Sequence, residues 1–173
     1  MSTYFTTVGS PIGSLLLVSD GEALTAVEME PHRPEAAAGA RPDSGPLRAV
    51  IEQLEAYFAG ARTDFDLPLR PHGTVFQQRV WAGLLTIPYG HTCSYGALAT
   101  ELGNPTASRA VGLANGRNPI AVIIPCHRVI GADGSLTGYG GGLDRKRWLL
   151  GHEVATLNRL GQPAGSAIPV GLW

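Results

Sequence analysis

Residues 92–116 read T-C-S-Y-G-A-L-A-T-E-L-G-N-P-T-A-S-R-A-V-G-L-A-N-G, and this stretch decides how the second half of the chain folds. Ser94 suits the N-cap of a helix running to Leu102, because its hydroxyl can accept a backbone N–H that the first turn leaves without a partner. Gly103-Asn104-Pro105 then makes a sharp turn, Thr106 can cap a second helix reaching about Ala114, and Asn115-Gly116 closes it. Two short helices with a tight turn between them form a helix-turn-helix, a pattern that serves both DNA binding and ordinary packing. Apart from Arg109, the outward positions expected on the second helix are small: Ala107, Ser108, Ala110, Gly112 and Ala114. Small residues permit close approach but carry no bidentate donors for base edges. Any DNA contact here is therefore expected to be indifferent to sequence and to use the minor groove.

Just beyond, Ile123–Gly131 reads I-I-P-C-H-R-V-I-G. Val122, Ile123 and Ile124 read as a buried strand that Pro125 stops, delivering Cys126 to a strand end. His127 follows at once, and Arg128 adds positive charge expected to favour thiolate over thiol. Since an ordinary cysteine has a pKa of about 8.5, one that attacks a substrate near neutral pH needs such neighbours. The other account of Cys126 is a small buried hydrophobe. Adjacent side chains on a strand diverge, so a turn or a bridging water would have to connect Cys126 to His127. One Cys-His pair lacks the ligand spacing of a zinc site, and the only other cysteine, Cys93, stands apart. Further on, Ala132–Ser135 is a turn. Thr137–Leu143, T-G-Y-G-G-G-L, reads as a mobile active-site loop able to present Tyr139 to a planar ligand, and it fails the G-x-G-x-x-G pattern of a dinucleotide site. Asp144–Val154 is expected to be the final helix.

On the N-terminal side, Tyr4–Val8, Leu15–Val18 and Leu24–Met29 predict a small antiparallel sheet, and Pro31–Pro46 a loop. Apolar residues at three- and four-residue spacing from Leu47 to Phe58 predict an amphipathic helix, and Asp64–Leu69 looks strand-like. Pro71-His72-Gly73 marks a boundary. Thr74 with Gln77 makes a capping box for a helix that carries a core Trp81 and ends before Pro88. His32 and His72 sit among Pro and Gly as solvated loop residues. The fold class expected is α+β, with domains at 1–72 and 73–160 and a flexible tail at 161–173.

The 173 residues are 44% hydrophobic with a net charge of −1, ordinary for a globular protein. Charge is unevenly divided: residues 1–78 hold five basic against ten acidic side chains, and residues 79–173 hold eight against four. The basic half is where a polyanion would bind, unless the asymmetry is only a solvated face. No apolar run approaches the ~18 residues of a membrane span, and no signal-type segment opens the chain, so a cytoplasmic protein is expected. Two cysteines fit a reducing compartment better than a disulfide framework.

Together these pieces resemble the O6-alkylguanine-DNA alkyltransferases, direct-reversal DNA repair proteins. P-C-H-R-V at Pro125–Val129 matches that family's active-site signature. S-Y-x-x-L-A at Ser94–Ala99, N-P-x-x-x-R-A-V-G at Asn104–Gly112, N-P-I at Asn118–Ile120, G-Y-G-G-G at Gly138–Gly142 and W-L-L-x-H-E at Trp148–Glu153 stand in the same order. The resemblance implies a ribonuclease H-like N-terminal domain and a C-terminal domain with a winged helix-turn-helix. It makes Cys126 the alkyl acceptor, coupled through water to His127, which pairs with Glu153, and Asn118 a hinge between the recognition helix and the site. Tyr139, Gly140 and the backbones of Cys126 and Val129 would hold the base. The lesion lies inside the duplex and must be flipped out. The resemblance makes Arg109 the finger that fills the gap and sets Tyr95 against the target phosphate, with Asn104, Ala107, Ser108 and Gly112 as further DNA contacts.

The partner implied is alkylated double-stranded DNA of any sequence, bound by a monomer that could also contact further copies along the DNA. No cofactor is implied, and no zinc, because no cysteine precedes Cys93. Ala121 stands where some relatives have proline, which bears on pocket width. A thioether is not released, so one turnover per molecule is expected. Two other classes remain in view: a DNA-binding module without chemistry, and a Cys-His hydrolase, which would turn over through an acyl intermediate.

Overall fold

The computed structural model describes residues 2–165. It divides into two compact units, one comprising the chain up to His72 together with Pro119–Ile123, the other Gly73–Asn118 together with the chain from Ile124 onward. The first unit thus takes in a short segment from far along the sequence, where the sequence suggested a single cut near residue 72. Most of the predicted tail, residues 166–173, lies outside the described residues.

In the first unit, β1 (Tyr4–Val8), β2 (Leu15–Ser19), β3 (Leu24–Met29) and the two-residue β4 (Arg41–Pro42) form one sheet in the order β3-β2-β1-β4. The first three strands are antiparallel, as their turn-separated apolar runs predict. β4 corrects the expectation of a purely antiparallel sheet and of a featureless Pro31–Pro46 loop, since it pairs parallel to β1. Every residue of β2 is buried, so the central strand packs on both faces. Helix α1 (Arg48–Phe58) buries Val50, Leu54 and Tyr57, the stripe its spacing predicts. Asp64–Leu69 is no strand; only Leu69 makes an isolated parallel bridge, to Leu24. The edge of β3 also receives Pro119–Ala121: Val27 donates to Pro119 O at 3.0 Å, and Ala121 donates to Val27 O at 3.1 Å.

The second unit is mostly helical: α2 (Val75–Leu84), α3 (Tyr95–Glu101), α4 (Ser108–Gly116) and α5 (Leu143–Arg159), with a parallel two-stranded ladder of β5 (Cys93–Ser94) and β6 (Val129–Ile130). The Thr74–Gln77 capping box is fully formed and opens α2. Ser94 caps α3 by accepting from Ala97 N. Gly103, at φ +80, turns the chain out of α3 in the left-handed conformation that glycine adopts without a Cβ penalty. The second cap differs from expectation. Ala107 occupies the N-cap of α4 with no side-chain bond, while Thr106 donates to Asn104 Oδ1 at 3.3 Å. Trp81 is a core residue, 2% exposed, and its indole N–H donates to Ala114 O at 2.9 Å. Helix α5 runs a turn and a half beyond the predicted end at Val154, burying Lys146, Leu149, Glu153, Thr156 and Leu157 along one face.

Candidate active site

The run Val122-Ile123-Ile124 is not a strand. All three residues are buried, but the backbone turns: Val122 sits at φ 70, and Ile123 donates to Ala121 O at 2.8 Å across a three-residue turn. Burial accounts for the β-branched residues, since the chain here is a packed reversal with no ladder. A β-branched residue in the left-handed region is strained by about 1–3 kcal/mol and persists only where its surroundings over-determine it. The chain leaves α4, touches the edge of β3 through Pro119–Ala121, and reverses to reach Pro125. Asn118 closes that excursion, its amide donating to Ile124 O at 2.8 Å.

Cys126, His127 and Arg128 form a single 3-10 turn, so the backbone that extended pairing would have separated is folded on itself. Cys126 is 6% exposed. Burial pushes its thiol up, against the favourable influence of the Asn118 side chain, the Tyr139 hydroxyl and the Lys146 charge. No hydrogen bond joins the thiol to the His127 ring among the described residues. His127 is fully buried; its Nε2 lies 2.7 Å from Glu153 Oε2, and its Nδ1 has no partner among the described residues. A carboxylate at Nε2 fixes the tautomer with hydrogen there and leaves Nδ1 as the basic nitrogen. Burial depresses His127, with Glu153 opposing it, so the resting imidazole is neutral.

Glu153 is the hub. Its carboxylate receives His127 Nε2, Arg128 Nε at 2.8 Å, Arg128 Nη2 at 3.0 Å and the Gly90 amide at 3.0 Å. These donors and charges hold it ionised far below the usual carboxylate range despite its burial. The expected role of Arg128 is corrected here. Its guanidinium is spent on Glu153 and on Ile87 O at 2.7 Å, so its charge serves the carboxylate and not the thiol.

Lys146 was missed by the sequence reading. It is fully buried, and its ammonium donates to Val129 O at 2.6 Å and Thr137 O at 3.0 Å. It also lies 5.9 Å from the Tyr139 ring centroid and 6.0 Å from that of Tyr95. The signal was present: Lys146 is the chain's only lysine and stands three and seven residues before Leu149 and Glu153, on the buried stripe of α5. Asn115, which the sequence marks only as a helix terminator, also faces the site. It is 3% exposed, and its amide reaches Cys126 O at 3.4 Å.

The remaining predicted residues divide into two groups. Tyr139 places its buried hydroxyl toward Cys126 while Gly140 beside it is exposed. The Tyr95 hydroxyl donates to Thr137 O at 3.2 Å, which together with Lys146 ties the glycine loop down. Tyr95 also packs its ring beside Gly112. Asn104, Ser108 and Arg109 are exposed and Ala107 half-buried on the helix-turn-helix. Ala114, expected outward, is buried at 4%, and Leu113 takes the outward place.

The arrangement can hold a thiol protonated at rest, accept its proton on a neutral imidazole, and spread the resulting charge over Glu153. Sequence profiles described as the 6-O-methylguanine DNA methyltransferase ribonuclease-like domain and DNA binding domain match residues 3–71 and 75–155. The methylated-DNA–protein-cysteine methyltransferase of Mycobacterium bovis is 56% identical over 152 residues, covering 85% of this chain and 90% of its own. That of Methanosarcina acetivorans is 52% identical, covering 85% and 96%. A crystal structure of Mycobacterium tuberculosis OGT in complex with DNA superposes with a TM-score of 0.84 at 54% identity, covering 88% of this chain and 94% of that one.

Proposed function

The chain belongs to the O6-methylguanine-DNA methyltransferase family and repairs DNA by moving an alkyl group onto one of its own cysteines; we propose that Cys126 is that cysteine, with His127 its base and Glu153 the carboxylate behind the base. The observation that carries this assignment is the buried His127–Glu153 pair beside a buried thiol, with Nδ1 left as the acceptor. Cys93 is the poorer candidate. Burial pushes it up to about 12, and its thiol donates to its neighbour's carbonyl at 3.2 Å.

The proposed reaction is a displacement at the alkyl carbon. His127 Nδ1 takes the Cys126 proton through one water, the sulfur–carbon bond forms, the carbon–O6 bond breaks, and its electron pair goes to guanine. Guanine then takes up the proton, so that thiol and alkylguanine become thioether and guanine with nothing left over. Tyr139, whose hydroxyl burial holds well above its ordinary value, keeps its proton and can donate to the departing base. Lys146 and Asn118 fix the loop and the reversal that bracket the thiol.

The partner is DNA. We further propose that binding is independent of sequence and through the minor groove, with α4 against the duplex, Arg109 filling the place of the flipped nucleotide, and Tyr95, Asn104, Ala107, Ser108 and Gly112 bordering it. Val129 O and Gly140 N–H would complete the base pocket. The protein acts as a monomer in the cytoplasm, where its two unpaired cysteines would stay reduced. No described helix is long and apolar enough to cross a membrane.

Intact mass and peptide mapping after incubation with excess duplex containing O6-methylguanine test the assignment. One added methyl group on Cys126, with guanine restored in equal amount, is expected. Methyl on Cys93, or product in excess of protein, would refute it.

A further inference from the structure

Asn115 is a buried polar group that the proposed reaction leaves without a task. It stands in the last turn of α4, whose other buried residues, Val111 and Ala114, are apolar. Its Nδ2 donates to Cys126 O, the carbonyl of the peptide that joins Cys126 to His127, so the carboxamide lies at the step between thiol and imidazole. A carbonyl only accepts, which makes the end facing it the NH2 group and turns Oδ1 away from it. Oδ1 is buried and has no hydrogen-bond partner among the described residues, and the same holds for His127 Nδ1. Asparagine is mostly an exposed residue, and an acceptor left bare in the interior costs the hydration it gave up. Such atoms are commonly served by ordered water, which needs two to four polar partners to settle.

We propose that Asn115 is a positioning residue for the transfer: its Oδ1 accepts one hydrogen of the water that links Cys126 to His127, and so sets that water's orientation. This rests on the proposal that His127 takes the thiol proton through one water. The donors and acceptors balance. Asn115 Oδ1 and the neutral Nδ1 of His127 can only accept, so they take the water's two hydrogens and leave its lone pairs for the Cys126 S–H. That is the orientation a relay needs. The thiol proton passes to the water oxygen as the water's hydrogen passes to Nδ1, leaving a thiolate, an imidazolium and an intact water. The hydrogen held by Asn115 is the one that does not move. Without Oδ1, that hydrogen is free to turn toward the sulfur, and the water then donates to the thiol where it should accept.

The test uses the full chain as wild type, N115L, N115D and H127Q, comparing single-turnover methyl transfer at saturating O6-methylguanine duplex with affinity for undamaged duplex. N115L is close to asparagine in size but lacks both donor and acceptor. It is expected to slow transfer roughly 5- to 10-fold, the worth of one hydrogen bond, with DNA affinity unchanged. N115D, ionised or protonated, keeps an acceptor oxygen, and should recover the rate to within about threefold of wild type. Equal slowing in N115L and N115D would place the effect in the Nδ2 bond to Cys126 O and overturn the proposal. If H127Q is slow while N115L matches wild type, the role of Asn115 fails and the base assignment stands; if H127Q matches wild type, the relay itself fails. A crystal structure of the wild-type protein gives a readout independent of how the variants fold. One water within hydrogen-bonding distance of both Asn115 Oδ1 and His127 Nδ1 is expected, and an Oδ1 met by any other group would overturn the assignment.

Discussion

Replacing Glu153 with glutamine is the perturbation most demanding of this site. Among the described residues the carboxylate accepts from Arg128 Nε and Gly90 N at Oε1 and from His127 Nε2 and Arg128 Nη2 at Oε2. An amide offers one oxygen, so two of those donors would face an NH2 group. The larger cost is charge, because Arg128 is 7% exposed and would be left without a counter-ion. Breaking a buried pair by removing one partner costs about 3–5 kcal/mol, a large share of the roughly 5–15 kcal/mol that holds a domain folded. With a urea m-value of about 2 kcal/mol/M, the unfolding midpoint of E153Q should fall by roughly 1.5–2.5 M. Chemistry should suffer separately. Without the carboxylate, His127 loses the partner that fixes its tautomer and the charge that raises its basicity. Single-turnover transfer from duplex O6-methylguanine, measured where the variant is folded, should slow by about 10²–10⁴-fold, the usual worth of a positioned base. E153D, which keeps the charge, should recover much of the midpoint but less of the rate. A midpoint within ~0.3 M of wild type, or a rate within twofold, would refute the hub assignment.

Three further outcomes are expected. Lys146→Met leaves Val129 O and Thr137 O without their ammonium donor, which should cost about 1–3 kcal/mol and speed proteolysis at residues 136–142; equal cleavage of variant and wild type would show that the lysine does not hold the loop. Gly90→Ala imposes φ +76 on a residue with a Cβ and drives that carbon into the Leu157 side chain. A loss of about 2–4 kcal/mol in urea unfolding is expected from overpacking and strain together. The third concerns acid. The folded chain holds His127 below its ordinary 6.5 and Glu153 below its ordinary 4.5, so in both windows the unfolded chain binds protons first. Stability should be full above about pH 7, decline as pH falls through 6.5, and decline again below 4.5; a urea midpoint unchanged between pH 7.5 and 5.5 would contradict the buried neutral imidazole.

What was legible in the sequence follows a physical line. Local signals were recovered almost residue for residue: the strands flanking Asp20-Gly21, the Thr74–Gln77 box, the Ser94 cap and the Gly103 turn. Each depends on backbone groups satisfied within a few residues, and the side chains that satisfy them are adjacent in the text. Expectations failed where burial and extension look alike. Val122–Ile124 carries the composition of a strand because it is buried, but its hydrogen bonds are those of turns, and it is the preceding Pro119–Ala121 that pairs with the edge of β3, nearly a hundred residues earlier. The same confusion made strands of Asp64–Leu69. Charge misled for a similar reason. Arg128 beside Cys126 suggests an electropositive thiol, yet the carboxylate that claims it lies 25 residues on, one turn or more beyond any local window. Lys146, the cation that does bear on the thiol, stands in the sequence between Arg145 and Arg147, where nothing local distinguishes it from its neighbours.

That exchange of cations clarifies how the site is built. Were Arg128 free beside the sulfur, its charge would favour a standing thiolate in the resting protein. Burial instead raises the thiol and depresses the imidazole, so both stay neutral until a base and an acceptor carbon are brought together. Glu153 remains ionised throughout, held by Arg128, and its negative charge becomes useful only when His127 acquires a proton. In the proposed reaction, transfer of one proton over one water would therefore create a thiolate and, at the same moment, the imidazolium–carboxylate pair that stabilises it. For a protein consumed by its own reaction, restraint at rest matters as much as speed when bound. The Asn118 closure onto Ile124 O and the Lys146 clamp onto Val129 O hold the chain on either side of the buried thiol, where the proposed reaction would bring the substrate carbon.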